Sequence, residues 1–275
     1  MADAVSGLRV RRLEERDEIY EILRQDRLYA AYAIGDLEGT LFEKCQWAAA
    51  YEDGRAAALC LLFKGLTPNA VFCMGKSAGL ALVLGSAMRP GRVFFAALPE
   101  HAATLRAFYD LDPPETLIRM ALTAGTFRPV ESNAVRLTSQ DVDGLNELYR
   151  LGGGSGFAPF QVTQGIFYGI RSGGKLVATA GTHVISPKYD IGCVGNVFTH
   201  PAFRRRGYAA ACTSAVTRDV FSSGCGDVVL NVRADNETAI RVYQRLGYLE
   251  HSRYIEAYGT RKGSLRALVQ RLLVG

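Results

Sequence analysis

The run Val194-Gly195-Asn196-Val197-Phe198-Thr199-His200-Pro201-Ala202-Phe203-Arg204-Arg205-Arg206-Gly207-Tyr208-Ala209 decides how the second half of this chain is read. Its apolar start belongs to a strand over Ile191 to Thr199. Pro201 forbids continuation of that strand, and Arg204-x-x-Gly207-x-Ala209 turns straight into an Ala-rich helix running to about Ser222, stopped by Ser223-Gly224. Such a turn leaves the first backbone N–H groups of the helix unpaired, where the dipole adds about half a positive charge. The place suits an anion. Gly207 lets a diphosphate approach the backbone, and Ala209, Ala210 and Ala211 keep the helix close to its sheet. Taken alone, Arg204-Arg205-Arg206 reads first as a solvated basic turn.

Working outward, Val135 to Leu137 reads as a short strand and Thr138 to Leu151 as a helix with Leu145 and Leu148 on one face. Gly152-Gly153-Gly154-Ser155-Gly156 breaks that helix. Three β-type runs follow, Ile166 to Arg171, Lys175 to Ile185 and Ile191 to Thr199, an antiparallel meander. After the Ala-rich helix, Val228 to Val232 reads as a wholly apolar strand, hence central and parallel. Asp235-Asn236-Glu237 opens another helix by capping, and Gly247 ends it where a positive φ is needed. Tyr248 to Glu250 and Arg253 to Tyr258 close the sheet.

That last helix carries a second pattern, with Asn236, Ala239, Tyr243, Gly247 and Tyr248 in the register N-x-x-A-x-x-x-Y-x-x-x-G-[F/Y]. Two patterns in this order, separated by one strand, resemble the GNAT superfamily of N-acyltransferases, whose acyl-CoA loop [Q/R]-x-x-G-x-[G/A] is matched by Arg204, Gly207 and Ala209. The resemblance covers about residues 130 to 260. It implies that Val197, Phe198 and Thr199 hold the pantetheine arm through their backbone, in the manner of an added strand. It further implies that the turn Arg204, Arg205, Arg206, Gly207, Tyr208, Ala209, Ala210 binds the diphosphate by its amides, that Asn236 contacts the cofactor, and that Tyr243 protonates the departing thiolate. An ordinary phenol near about 10 and a thiol near about 8.5 are close enough for that transfer. A strand-end N–H such as that of Phe198 would meet the oxyanion. One departure stands out: Ile191 to Thr199 holds no carboxylate, only Asp190 stands at its start, and Asn196, His183 and His200 are the nearby polar groups. No residue is named as base.

The first half repeats the order of elements in weaker form. Glu52-Asp53-Gly54-Arg55 reads as a hairpin turn, Ala56 to Phe63 and Asn69 to Met74 as strands, Gly79 to Met88 as a helix, and Arg92 to Ala97 as a strand. A shift of 134 residues sets Tyr109 on Tyr243 and Ala102 on Asn236. The expected fold is therefore α/β (α+β), with two GNAT-like domains, each a mixed, mostly antiparallel twisted sheet flanked by helices. Residues 1–127 would be a degenerate copy that shapes the acceptor site or serves structure, and 128–275 the acyl-CoA-binding copy, joined through Phe127-Arg128-Pro129-Val130. Two other motifs compete. Gly152 to Gly156 follows a helix, not a strand, and so reads as a mobile substrate-side loop instead of a phosphate cradle. Met74-Gly75-Lys76-Ser77 resembles the end of a P-loop, but Ala70 stands where such a loop needs glycine.

Composition narrows the classes. The 275 residues are 48% hydrophobic and 21% charged, which excludes disorder and small disulfide scaffolds. Formal charge is +5, and it is lopsided: residues 1–127 carry 14 basic and 16 acidic side chains, the remainder 18 and 11. An anionic small molecule fits that second half better than nucleic acid does. Six scattered cysteines without C-x-x-C read as reduced packing residues, four histidines lack zinc spacing, and no metal is expected. With no leader and no apolar run near about 18 residues, the default is a cytoplasmic protein without membrane contact; Ser264 to Leu272 reads as a short amphipathic docking helix. The functional expectation is acetyl transfer from acetyl-CoA to a primary amine, small molecule or peptide, by direct attack in a ternary complex, in the manner of tandem family members and glycine N-acyltransferases. Its alternatives are a CoA-binding sensor without turnover and an RNA-binding, aminoacyl-tRNA-dependent transferase, and a homodimer stays open.

Overall fold

A computed structural model describes residues 7–131, 133–153 and 156–263. In chain order the elements are β1 (Leu8–Leu13), α1 (Arg16–Leu23), α2 (Ala31–Gly35), β2 (Cys45–Glu52), β3 (Arg55–Phe63), β4 (Asn69–Gly75), α3 (Ser77–Ser86), β5 (Arg92–Ala97), α4 (Ala102–Phe108), β6 (Tyr109–Leu111) and β7 (Glu115–Thr123). The chain continues through β8 (Val135–Arg136), α5 (Val142–Arg150), α6 (Pro159–Gln164), β9 (Phe167–Ser172), β10 (Lys175–Ser186) and β11 (Ile191–Thr199). It ends in α7 (Tyr208–Ser222), β12 (Asp227–Arg233), α8 (Glu237–Arg245) and β13 (Leu249–Arg261). The expected docking helix at Ser264 to Leu272 lies outside the described residues.

Two compact units result, residues 1–117 with 253–275, and residues 118–252. In the first, β1 to β4 form an antiparallel meander, β5 pairs parallel to β4, and β13 pairs antiparallel to β5 through Ile255↔Ala97 to Thr260↔Arg92. In the second, β8 to β11 form the meander, β12 pairs parallel to β11, and β7 follows β12 in strand order. Each unit is thus a mixed, mostly antiparallel sheet with flanking helices, as expected.

The units do not divide at residue 127. Ile118, Met120 and Leu122 of β7 sit in the second core beside Val194, Val216 and Leu230, whereas Ile255 of β13 sits in the first core beside Phe95 and Val93. The first unit therefore takes β13 from the far end of the chain, whereas the second is one continuous segment in which β7 lies at the opposite side of the sheet from β8, its neighbour in sequence. Alternating apolar side chains specify a buried face but not which sheet edge receives it.

Helix α7 is packed on most sides, since every residue from Ala211 to Thr217 is buried. Its small side chains allow this. Ser214 Oγ receives the Val130 N–H (3.0 Å), Thr217 Oγ1 meets the Tyr248 hydroxyl (2.7 Å), and Gly192 of β11 has no room for a Cβ against Val220. These contacts fix the middle and C-terminal part of the helix against the sheet and its neighbours.

Candidate active site

Strand β11 stays with β12 for only four pairs, Ile191↔Asp227 to Val194↔Leu230. Beyond them β11 continues to Thr199 and β12 to Arg233 without partners in that pairing. The parting has a local cause. The pairing of β10 with β11 shifts register between Thr179 and Gly181, and Asn196 takes a left-handed φ of 53°, so β11 bends there. One edge of Phe198 and Thr199 remains joined to β10, and the other faces the gap.

Polar atoms around this gap lack partners. Thr199 Oγ1 and Asn231 Oδ1 are buried and make no hydrogen bond among the described residues. An arm carrying amides, inserted as an added strand, would supply them, so the chemistry of the gap suits a pantetheine chain. Asn231 was passed over in sequence. It is the one polar residue within Val228 to Val232, which is therefore not wholly apolar.

At the end of β11, His200 Nδ1 accepts the Ala202 N–H (3.1 Å) and caps the 3-10 turn Pro201–Phe203. Arg205 (φ 63°) and Gly207 (φ 78°) are both left-handed, and α7 starts at Tyr208 without a side-chain cap. The Ala211 N–H makes the first helical bond, to Gly207 O (3.0 Å), so the amides of Tyr208, Ala209 and Ala210 point outward. Arg204, Arg205 and Arg206 are exposed and form no ion pair among the described residues. An open cleft of about 780 Å³ runs from Arg206 and Gly207 past Ala210 and Ala211 to Arg218. Consecutive amides at a left-handed turn, a helix dipole and arginines without ion pairs together make an electropositive place that suits an anion.

Asn236 caps α8, its Oδ1 accepting the Ala239 N–H (3.1 Å), which leaves its amide nitrogen for any other contact. Tyr243 lies one to two turns on. It is 6% exposed, its hydroxyl bonds to no described residue, and burial pushes its phenol up to about 12. Tyr248 packs edge-on against it at 6.1 Å.

Among the candidate bases, Asp190 accepts the Gly226 N–H and Asn196 donates weakly to Thr182 O (3.5 Å), so both serve the backbone. His183 lies over Gly195, where a Cβ would meet its Nε2 at 2.2 Å. Protein groups crowd it on many sides, yet its side chain is open to solvent. That crowding, with the charge of Arg119, pushes its imidazole down to about 4 and keeps it neutral.

Sequence reasoning also missed Tyr149, near the end of α5. Its ring meets Phe157 edge-on at 4.7 Å and Phe198 at 5.8 Å. The glycine run beside it is seated in part: Gly152 packs against the Phe198 ring, and Asn146 binds both the N–H (2.6 Å) and the carbonyl (3.1 Å) of Phe157. Among the described residues no cluster of three His, Cys, Asp or Glu side chains forms, and no helix is long and apolar enough to cross a membrane.

Residues 145–248, which span this whole constellation, match the family profile described as acetyltransferase (GNAT) family. Solved structures agree on the fold. A Drosophila protein superposes with a TM-score of 0.68 at 14% identity, covering 93% of this chain and 99% of its own. A GCN5-related N-acetyltransferase from Sphaerobacter thermophilus gives 0.59 at 18%, covering 94% and 97%. A tandem GNAT protein from the clavulanic acid biosynthesis pathway gives 0.54 at 14%, covering 94% and 99%. Residues 145–248 are thus similar to the acetyltransferase (GNAT) family, and the fold of the chain is one that also occurs in a tandem GNAT protein.

Proposed function

We propose that this protein transfers an acetyl group from acetyl-CoA to a primary amine, and that the parting of β11 from β12 at Val194 and Leu230 carries the assignment. The pantetheine arm lies along Val197 to Thr199. The diphosphate rests on the amides of Tyr208, Ala209 and Ala210, with Arg204 to Arg206 supplying charge. Asn236 offers its amide nitrogen to the same ligand.

The amine nitrogen attacks the thioester carbon and forms the C–N bond, while the carbonyl oxygen takes negative charge beside the Phe198 N–H. Collapse of this intermediate breaks the C–S bond. One proton leaves the nitrogen and one arrives at the sulfur, giving an amide and free CoA thiol. Tyr243 stands at the sulfur. With its phenol held near about 12 it stays protonated at neutral pH, hydrogen-bonds the departing thiolate, and recovers through solvent any proton it gives. His183, neutral and open to solvent, serves as the relay by which the amine proton reaches water. The first unit keeps the topology but has lost CoA binding.

The test is direct. Acetyl-CoA or CoA should raise the melting temperature of the purified protein, and thiol should appear with at least one member of a primary-amine panel. Stabilisation without thiol release would favour a CoA sensor, and no stabilisation by either ligand would reject the assignment.

A further inference from the structure

The hydroxyl of Tyr149 is buried to less than 1 Å² of accessible surface and has no hydrogen-bond partner among the described residues. Leaving such a group unpaired costs about 1–3 kcal/mol. Phenylalanine would fill the same space without that penalty, so the use of the hydroxyl lies in a partner the described chain does not provide.

Its surroundings say where that partner sits. Phe198, one of the two rings flanking Tyr149, belongs to the stretch of β11 whose backbone edges the gap. Phe157, the other, is fastened by Asn146 and stacks edge-on with Phe167 at 5.6 Å, so the wall is rigid. Tyr243 is near enough to bear electrostatically on Tyr149. Tyr149 comes from α5, however, and not from the strands and helices that would hold CoA.

We infer that Tyr149 is an acceptor-positioning residue whose hydroxyl oxygen accepts an N–H from the substrate amine, and that the acceptor is a primary amine with an apolar, aromatic-compatible group beside its nitrogen. This rests on the acetyltransferase reading above and names its substrate class. The three rings Tyr149, Phe157 and Phe198 offer apolar faces, which suits a flat or branched hydrocarbon group and disfavours a second charge. Burial raises the Tyr149 phenol well above its ordinary range, so it stays neutral and cannot act as the base.

Steady-state kinetics on the full chain test this, with acetyl-CoA as donor and 2-phenylethylamine or 2-aminoethanol as acceptor. Wild type should prefer the phenyl acceptor by at least about tenfold in kcat/KM. Tyr149→Phe should raise the KM for that acceptor about tenfold, leave the KM for acetyl-CoA and the stabilisation by CoA unchanged, and keep or raise the melting temperature of the free protein. A preference for 2-aminoethanol overturns the substrate class. A raised KM for acetyl-CoA, an unchanged acceptor KM, or a fall of several degrees in melting temperature overturns the role of Tyr149, the last because the hydroxyl would then serve folding, for instance through a bound water. Absence of both CoA stabilisation and turnover in wild type would instead sink the underlying acetyltransferase reading, so the two failures separate.

Discussion

The turns that follow β4 and β11 occupy the same place in their respective sheets, yet one is sealed and the other open. In the first unit β4 leaves β5 after Phe72↔Ala96, as β11 leaves β12. There His101, fully buried, fills the position. Its Nδ1 accepts the Leu98 N–H (3.3 Å), so Nε2 carries the proton and donates to Gly75 O (2.7 Å). Only Lys76 links strand to helix, its N–H bonded to Ala57 O (2.7 Å) and its ammonium paired with Glu52 (2.6 Å). In the second unit eight residues make the link, two of them left-handed, with three outward amides, unpaired arginines and buried polar atoms lacking partners. Shared topology thus supplies the parting of two strands, and local chemistry decides whether the chain or a ligand completes it.

Tyrosines give the sharpest test of that contrast. Tyr243→Phe should lower kcat about 100-fold while leaving CoA affinity unchanged. Tyr109, its partner under the 134-residue shift, bonds to Pro90 O (3.1 Å) and receives Arg261 (3.2 Å), so Tyr109→Phe should reduce stability by about 1 kcal/mol and spare turnover. Loss of activity from the Tyr109 variant at full stability would break the comparison.

Glycines come next. Gly207→Ala introduces a Cβ into open space at φ 78°, and the strain of about 1–2 kcal/mol falls on the turn proposed to bind the diphosphate. Titration calorimetry should show CoA bound roughly tenfold more weakly. Gly75→Ala at φ 95° drives its Cβ to 2.4 Å from Ala57 O, which should lower the melting temperature without changing CoA affinity per folded molecule. Equal CoA losses in both variants would argue that both turns bind ligand.

The smallest effect concerns a group with stability as its sole role. Burial pushes the Asp36 carboxyl from 3.8 up to about 7. The folded state then holds the proton more tightly than the unfolded one, so stability is lost as pH rises from about 4 through about 7. Asp36→Asn should raise the melting temperature at pH 8 by at least about 3 °C, have little effect at pH 4, and leave kcat unchanged. A flat difference across that range would show that ionisation of Asp36 does not limit stability.

Much of the second unit was legible because punctuation and periodicity agree there. Ile191 to Thr199 ends where Pro201 requires, and Gly247 takes the expected positive φ at 100°. In the first unit β1, α1 and α2 escaped notice, since interspersed arginines, as in Leu8-Arg9-Val10-Arg11-Arg12-Leu13, hide an edge strand. Tyr109 and Tyr243 align in sequence but not in structure: one opens β6 and the other lies inside α8. Tyr149 resembled any helical tyrosine, because an absent hydrogen-bond partner leaves no mark in sequence.

By itself, then, the sequence determined the acetyltransferase-like strand-turn-helix, its glycine and its helix caps, all consequences of local backbone preference over a few residues. Tertiary structure alone decided that β7 and β13 join the units far from their neighbours in the chain, that His101 closes one parting of strands, and that Tyr149, Asn231 and Thr199 leave another open. Those outcomes depend on which distant groups meet and which buried atoms go without a partner, and no local spacing encodes either.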